Sequence, residues 1–118
     1  MNFIFKIKDK SGKDIHLSAE RWKHIKNHPH MDENKLEDIK ATIQNPMAIR
    51  YNEDDEEVRC FYREYKNMLP SEKYLLVSVK YLNGNGFVIT SFFTNKITGL
   101  KWETKWIFTM MKKEISWK

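Results

Sequence analysis

Two histidines four residues apart, His24 and His28, are the side chains of this sequence best placed to exchange protons. An imidazole near pH 7 is partly neutral and partly charged, so one histidine can accept a proton while the other donates one, without a metal ion. RNA cleavage needs both roles: a base takes the 2′-hydroxyl proton, the oxygen attacks phosphorus, and an acid protonates the leaving 5′-oxygen. A structural interpretation stays open, because such histidines also pack beside Trp22 or stabilise a helix carboxyl end.

A metal site is a second chemistry for the same segment. His24, His28 and His30 lie close in sequence, and histidines four residues apart are a common zinc arrangement. However, Ile25 stands where the zinc-protease motif has Glu, and Pro29 is expected to turn His30 aside. We therefore expect no metal and no other cofactor.

An arginine in a later apolar segment, Arg59, is the candidate for stabilising charge on phosphorus. Its guanidinium offers a bidentate fork to phosphate oxygens and keeps its proton. Surface arginines on strands are common, so Arg59 alone does not establish a site. If it acts with the histidines, the rings must face the guanidinium with room for one phosphodiester. By this argument, rings on the far side of the sheet from Arg59, or rings sealed in dry hydrocarbon, would remove the basis for a nuclease and leave only a basic α+β domain.

Five further residues are candidates for binding substrate or for placing it. Hydroxyls and ammonium groups near a reacting phosphate can bind its oxygens, although Thr in a strand is ordinarily explained by β propensity. Thr90 is the hydroxyl that we group with the catalytic residues. The expected substrate contacts are Tyr62, Lys80, Ser91 and Thr94.

The elements that position these residues begin with two helices. Ser18 is expected to cap a helix from about Ala19 to Asn27, which Pro29 ends. A second helix follows Asp32, where Leu36, Ile39 and Ile43 recur at helical spacing and form one apolar stripe.

Extended segments occupy most of the remaining chain. Asn83-Gly84 predicts a tight hairpin between the last two strands. Helices that precede successive strands predict an α+β fold, with the helices packed on one face of an antiparallel sheet. The predicted extended segments are residues 3–7, 14–17, 47–51, 58–65, 74–81 and 86–93.

Composition limits the class of protein. The 118 residues suit one domain, and 21 basic against 16 acidic residues give a net charge of +5, which fits a polyanionic partner or a solubilising surface. Cys60 is the only cysteine, so no intrachain disulfide is possible and a reducing compartment is the simpler expectation. The sequence shows no signal peptide and no apolar run of membrane-spanning length, which predicts a soluble, cytoplasmic protein without a membrane partner.

The last segment, residues 99–118, reads as a basic, aromatic C-terminal extension. Trp102, Trp106, Phe108 and Trp117 interleave with lysines without a clean period. Two interpretations stay open: an element that packs its aromatic rings on the core, or a platform on which bases stack beside lysines that hold phosphates.

A series of short motifs resembles one family. In order they are Ser-Ala-Glu-Arg-Trp-Lys-His-Ile-Lys-Asn-His-Pro, Ile-Gln-Asn-Pro, Arg-Cys-Phe-Tyr, Tyr-Leu-Leu-Val-Ser-Val-Lys-Tyr and Gly-Phe-Val-Ile-Thr-Ser-Phe-Phe-Thr. They resemble the phage and mobile-element branch of the barnase, EndoU, colicin and RelE-like (BECR) nucleases. The resemblance runs from about Ile15 to Ile97.

This resemblance implies N-terminal helices against a roughly four-stranded antiparallel sheet, and a metal-independent endoribonuclease that acts through the 2′-hydroxyl. His24 and His28 match the helical histidines of the family, Arg59 its strand arginine and Thr90 its hydroxyl. Ser91 stands where the family has Ala. The implied partners are RNA and a protein antitoxin or immunity partner of a toxin system. The alternative is a non-catalytic RNA- or protein-binding module on the same fold.

Overall fold

The computed structural model describes residues 3–52, 55–65 and 72–97, in which six strands and two α-helices form an α+β fold. The helices are α1 (Ala19–Ile25) and α2 (Leu36–Gln44), and a short 3-10 helix, Glu33–Lys35, precedes α2. The strands are β1 (Phe3–Lys8), β2 (Asp14–Ser18), β3 (Ala48–Tyr51), β4 (Val58–Glu64), β5 (Tyr74–Leu82) and β6 (Asn85–Thr94).

All six described strands belong to one sheet in the order β1-β2-β6-β5-β4-β3. Neighbouring strands are antiparallel except for β2 and β6, which run parallel. The expected α+β class and the helices on one face are confirmed. The expected four antiparallel strands are wrong, because the β1–β2 hairpin adds to one edge of the sheet through a parallel contact and β3 adds to the other. The helices are not N-terminal either, because β1 and β2 precede α1.

The parallel contact is short and depends on a glycine. β2 pairs with β6 only at Ile15 with Gly86 and at His16 with Phe87. A Cβ atom on Gly86 would lie 2.8 Å from Ile15 Cδ1 and 3.2 Å from the Lys80 carbonyl oxygen, so a larger residue would push the strands apart. The hairpin turn between β5 and β6 is also as predicted, with φ of 54° at Asn83 and 86° at Gly84.

The first helix begins where the sequence predicts and ends earlier. Ser18 Oγ accepts a hydrogen bond from the Arg21 amide at 3.1 Å, which satisfies a donor of the first turn. α1 ends at Ile25 rather than near Asn27, and turns carry the chain onward. His30 has a left-handed φ of 65°, which turns the chain after Pro29.

The helices cover one face of the sheet, which we call the helix face. Trp22 and Ile25 from α1, and Ile39 and Ile43 from α2, pack there against alternate residues of the strands. The apolar stripe predicted for α2 is therefore confirmed. The strand residues of this core are Phe5, Ile15, Leu17, Phe61, Leu75, Val77, Val79, Tyr81 and Val88.

The opposite face, which we call the outer face, carries a smaller apolar cluster. Cys60, Tyr62 and Leu76 are its buried members, and Phe92 and Ile97 pack against them. Cys60 is buried. Burial raises the pKa of its thiol, which favours the protonated form.

Two predicted segments lie outside the described residues: the 66–71 connection and the basic aromatic extension at 99–118. Within the part of the chain that the structure describes, no helix has both the length and the apolar character needed to span a membrane.

Candidate active site on the outer face

The sheet and the segment after α1 bring together two of the predicted residues. His28 Nε2 lies 3.3 Å from Thr90 Oγ1, 62 residues later in the chain. The His28 ring also lies 5.4 Å from the ring of Phe92, the next residue of β6 on the same face. Thr90 thus holds one nitrogen of His28 at the rim of the outer face.

The incomplete pairing of β2 explains how this histidine reaches the outer face. Beyond Phe87, no described strand pairs with β6 on the β2 side, and α1 contacts β6 there. Trp22 and Ile25 point into the core, whereas the turn after α1 carries His28 around the edge of β6. A helix on one face therefore delivers an imidazole to the other face.

The second histidine lies beside the first. The rings of His24 and His28 are 6.0 Å apart and nearly perpendicular, His24 lying in the last turn of α1 and His28 in the turn that follows it. His24 is exposed and His28 is half-buried. Of the two, His28 is fixed by a partner in the sheet and His24 remains open to solvent.

Arg59 does not share this site, and the expected convergence of both imidazoles with its guanidinium is wrong. Thr90 pairs with Ser78, and Ser78 pairs with Cys60, so these three side chains point to the outer face. Successive strand residues alternate, and Arg59 pairs with the core residue Val79. The guanidinium therefore projects from the helix face, on the other side of the sheet from Thr90.

On the helix face Arg59 is held by aromatic rings. Its Cζ lies 4.3 Å from the centre of the Tyr81 ring and 5.4 Å from that of Tyr51, distances typical of cation–π contacts. Beside it is a cavity of about 350 Å³, lined by Asp9, Lys10, Ser11, Lys13, Ile49, Arg59 and Phe61. These contacts position Arg59 as part of a charged cluster at one end of the core.

A buried carboxylate organises that cluster. Asp9 Oδ2 accepts a hydrogen bond from the Tyr81 hydroxyl at 2.7 Å, and Oδ1 accepts bonds from the Ser11 and Lys13 amides, both at 2.9 Å. Burial opposes ionisation, yet these bonds hold the pKa of Asp9 below its usual value. Burial and the Asp9 bond raise the pKa of Tyr81 above its usual range. The sequence analysis did not identify this network.

Two predicted substrate residues are buried in this structure. Ser91 pairs with the core residue Val77, is fully buried, and donates its hydroxyl to the Leu76 carbonyl at 2.8 Å. Tyr62 is on the outer face but only 1% exposed. The arrangement described here therefore gives neither side chain a route to a bound phosphate.

Lys80 and Thr94 do lie on the outer face. Lys80 is two residues beyond Ser78 on β5, and its ammonium lies 2.8 Å from Asp55 Oδ2 and 3.8 Å from Glu57 Oε1. The bond to Asp55 raises the pKa of Lys80, which keeps it cationic. Thr94 ends β6 and donates its hydroxyl to the Lys96 carbonyl at 3.4 Å.

The sheet register adds Arg50 and Ser78, neither of which was predicted from the sequence. Arg50 pairs with Cys60, Cys60 with Ser78, and Ser78 with Thr90, so one row crosses four strands on the outer face. Alternation of Arg50 with Ile49 and Tyr51 was the available signal for its orientation. The order of the strands, which places Arg50 in the row of Thr90, has no local signal.

The third histidine of the early segment points elsewhere. His30 Nε2 lies 2.6 Å from Glu72 Oε2, and Glu72 is buried. Among the described residues, no group of three His, Cys, Asp or Glu side chains is arranged to hold a metal ion.

Comparison with known protein families matches residues 5–113 to the family described as phage-Barnase-EndoU-ColicinE5/D-RelE like nuclease2. The match extends at both ends beyond the stretch on which the sequence resemblance rests. No curated protein and no solved structure matches the chain. Because the match covers nearly the whole sequence, this chain belongs to the phage Barnase-EndoU-Colicin-RelE-like nuclease 2 family.

Proposed function

We propose that this protein is a metal-independent endoribonuclease whose reacting groups meet at the rim of the outer face. The observation that carries the proposal is the contact between His28 Nε2 and Thr90 Oγ1 at 3.3 Å, with the ring of His24 6.0 Å from that of His28. Two imidazoles at this distance fit the acid and base roles on one phosphodiester. Membership of the family implies nuclease activity. The paired imidazoles support RNA as the substrate, because RNA carries the 2′-hydroxyl from which one of them can remove a proton.

The reaction follows from the two roles. One imidazole removes the proton from the 2′-hydroxyl, and the 2′-oxygen forms a bond to the adjacent phosphorus. The bond from phosphorus to the 5′-oxygen breaks, and the other imidazole protonates that oxygen. The products are a 2′,3′-cyclic phosphate and a 5′-hydroxyl end, and the two histidines have exchanged protonation states.

In this proposal, a basic side chain of the outer face stabilises the negative charge on the pentacoordinate phosphorus formed by attack of the 2′-oxygen. Lys80 lies on β5, the strand next to that of Thr90. Arg50 lies on the same face three strands from Thr90, about 14 Å away, where it would bind a phosphate farther along the RNA. The ion pair of Lys80 with Asp55 is partly exposed, and such pairs contribute little net free energy. A phosphate can therefore replace Asp55 at small cost. Arg59, on the helix face, takes a structural role in place of the catalytic one.

The test is cleavage of end-labelled single-stranded RNA in the presence of EDTA. We expect products with cyclic phosphate ends, and their loss in His28→Ala and in His24→Ala. His30→Ala is the matched control, since His30 pairs with Glu72 outside the site. Cleavage that EDTA abolishes, or that persists at the normal rate in His28→Ala, contradicts the proposal.

The second candidate is a non-catalytic RNA-binding module on the same fold. The placement of Arg59 away from the histidines favours it, because the predicted phosphorane ligand is then missing from the site. In that case RNA stays intact in EDTA, and its binding weakens steeply with salt.

We further propose a toxin role in the cytoplasm, within a toxin–antitoxin or mobile-element conflict system, with a protein inhibitor. The net charge of +5 suits an acidic partner that covers the basic surface. Induced expression in a bacterial host should arrest growth, whereas expression of His28→Ala should not. If the original chain and His28→Ala arrest growth equally, toxicity does not depend on the proposed cleavage.

A further inference from the structure

Three rings form a continuous strip on the outer face beside the candidate active site. The ring of Phe3 lies 4.4 Å from that of His16, and the ring of His16 lies 6.1 Å from that of Phe87 in a stacked arrangement. We call Phe3, His16 and Phe87 the aromatic strip. Its rings come from β1, β2 and β6, so only the assembled sheet brings them together.

The aromatic strip is not part of either hydrophobic cluster of the described residues. The core on the helix face includes Phe5, Ile15 and Leu17 from the same strands, but none of the three strip residues. The outer-face cluster around Tyr62 does not include them either. Phe3 is 43% exposed, a high value for an aromatic ring in a strand. Packing of the protein interior therefore does not explain the strip.

Lysines flank the aromatic strip on both sides. Lys6 pairs with His16, and Lys80 pairs with Phe87, so the sheet register gives the outer-face row Lys6, His16, Phe87, Lys80. Partial burial and the neighbouring charge of Lys6 lower the pKa of His16, which favours a neutral ring near pH 7. The row thus places His16 and Phe87, both partly exposed, between two lysines, of which Lys80 is paired with Asp55 and Glu57.

This row is next to the row of Thr90. Lys80 and Ser78 are two residues apart on β5, which corresponds to about 7 Å along a strand. A nucleic acid strand that places one phosphate beside His28 and Thr90 would therefore meet the aromatic strip with its neighbouring nucleotides.

We propose that the aromatic strip is a base-stacking subsite for single-stranded RNA, in which bases of the substrate stack on Phe3 and Phe87 while Lys6 binds an adjacent phosphate and Lys80, between the strip and the candidate active site, binds the reacting one. Stacking on aromatic rings requires unpaired bases, since a duplex hides the faces of its bases. That the strip serves an active site rests on the proposed function. RNA binding by the strip does not.

The experiment measures binding of the full-length chain to a fluorescent oligonucleotide with 2′-O-methyl groups at every position. Such RNA lacks the attacking hydroxyl, so binding is measured without cleavage. We expect Phe3→Leu and Phe87→Leu each to weaken binding by about 5- to 150-fold, because leucine keeps the apolar volume and removes the aromatic face. Phe87→Trp should bind at least as tightly as the original chain.

Ile4→Leu is the matched control, because Ile4 is an exposed neighbour of Phe3 outside the strip. Circular dichroism verifies the fold of each variant. Folded leucine variants that bind within twofold of the original chain, or a duplex of equal length that binds as tightly as the single strand, would overturn the proposal. If the strip variants lose binding and the original chain does not cleave unmodified RNA, the subsite stands and the proposed ribonuclease function fails.

Discussion

The two faces of the sheet hold their polar groups in different ways. On the helix face, Asp9 is 7% exposed and receives hydrogen bonds from Tyr81 and the following turn, with Arg59 stacked on the Tyr81 ring. On the outer face, the polar contact of the His28 ring is a long one, 3.3 Å from Nε2 to Thr90 Oγ1. The first arrangement satisfies a buried charge, whereas the second leaves ring nitrogens available for a substrate.

A charged group in a strand must therefore be assigned to one face of the sheet before it is assigned a role. Arg59 has the chemistry of a phosphate ligand, but its neighbours are the rings of Tyr51 and Tyr81 and the core beneath the helices. Its contacts are those of a residue that stabilises the fold.

Substitution of one residue on each face gives the largest contrast. His28→Ala should lower the rate of RNA cleavage by roughly 10²- to 10⁴-fold, since it removes a general acid or base. Arg59→Ala should leave the rate unchanged, because its side chain lies on the other face. Both rates are measured with the same labelled RNA. If folded Arg59→Ala has no activity, the two faces do not differ in this way, and Arg59 belongs to the active site.

The helix-face network should matter for stability instead. Tyr81→Phe removes the donor to Asp9 Oδ2, and loss of a partner by a buried carboxylate should lower the free energy of unfolding by about 1–3 kcal/mol. Urea unfolding measures this change, with Tyr74→Phe as the control on the outer face of the same strand. Cleavage by folded Tyr81→Phe should not change; a loss of activity would mean that the two faces are coupled.

Thr90 should have a smaller effect, because we regard it as a positioning residue. Thr90→Val keeps the shape of the side chain and removes the hydroxyl near His28, so we expect kcat to fall roughly 3- to 10-fold. Thr90→Ser should restore kcat. Equal activity of the Val and Ser variants would show that the contact has no role.

The smallest effect concerns the pH dependence of stability. The pKa of Asp9 is lowered in the fold, so its contribution is complete above the ordinary value of 3.8 and is lost as the pH falls below it. The pKa of Tyr81 is raised, so its contribution is complete below 10.0 and is lost at higher pH. The melting temperature measured across pH should therefore fall at the acid end, the acid limb, and again at the alkaline end. Asp9→Asn should flatten the acid limb, and an unchanged limb would contradict this account.

Much of the local structure was predictable because it depends on neighbours in sequence. Ser18 caps α1, Asn83 and Gly84 form the hairpin turn, and Ile39 and Ile43 form the buried stripe of α2. Every described strand also overlaps an extended segment predicted from residue pattern. What failed was the number and direction of strands in the sheet, because the parallel contact of β2 with β6 joins segments about 70 residues apart.

The sequence by itself determined the local facts: which residues are apolar at period two or 3.6, where a helix can begin, and which side chains can carry a proton or a positive charge. It also carried enough of the family pattern to identify a nuclease. Only the tertiary structure decided which of these side chains meet. The reason is geometric, since a strand sends Arg59 and Cys60 to opposite faces, and the packing of α1 against the edge of β6 brings His28 to Thr90.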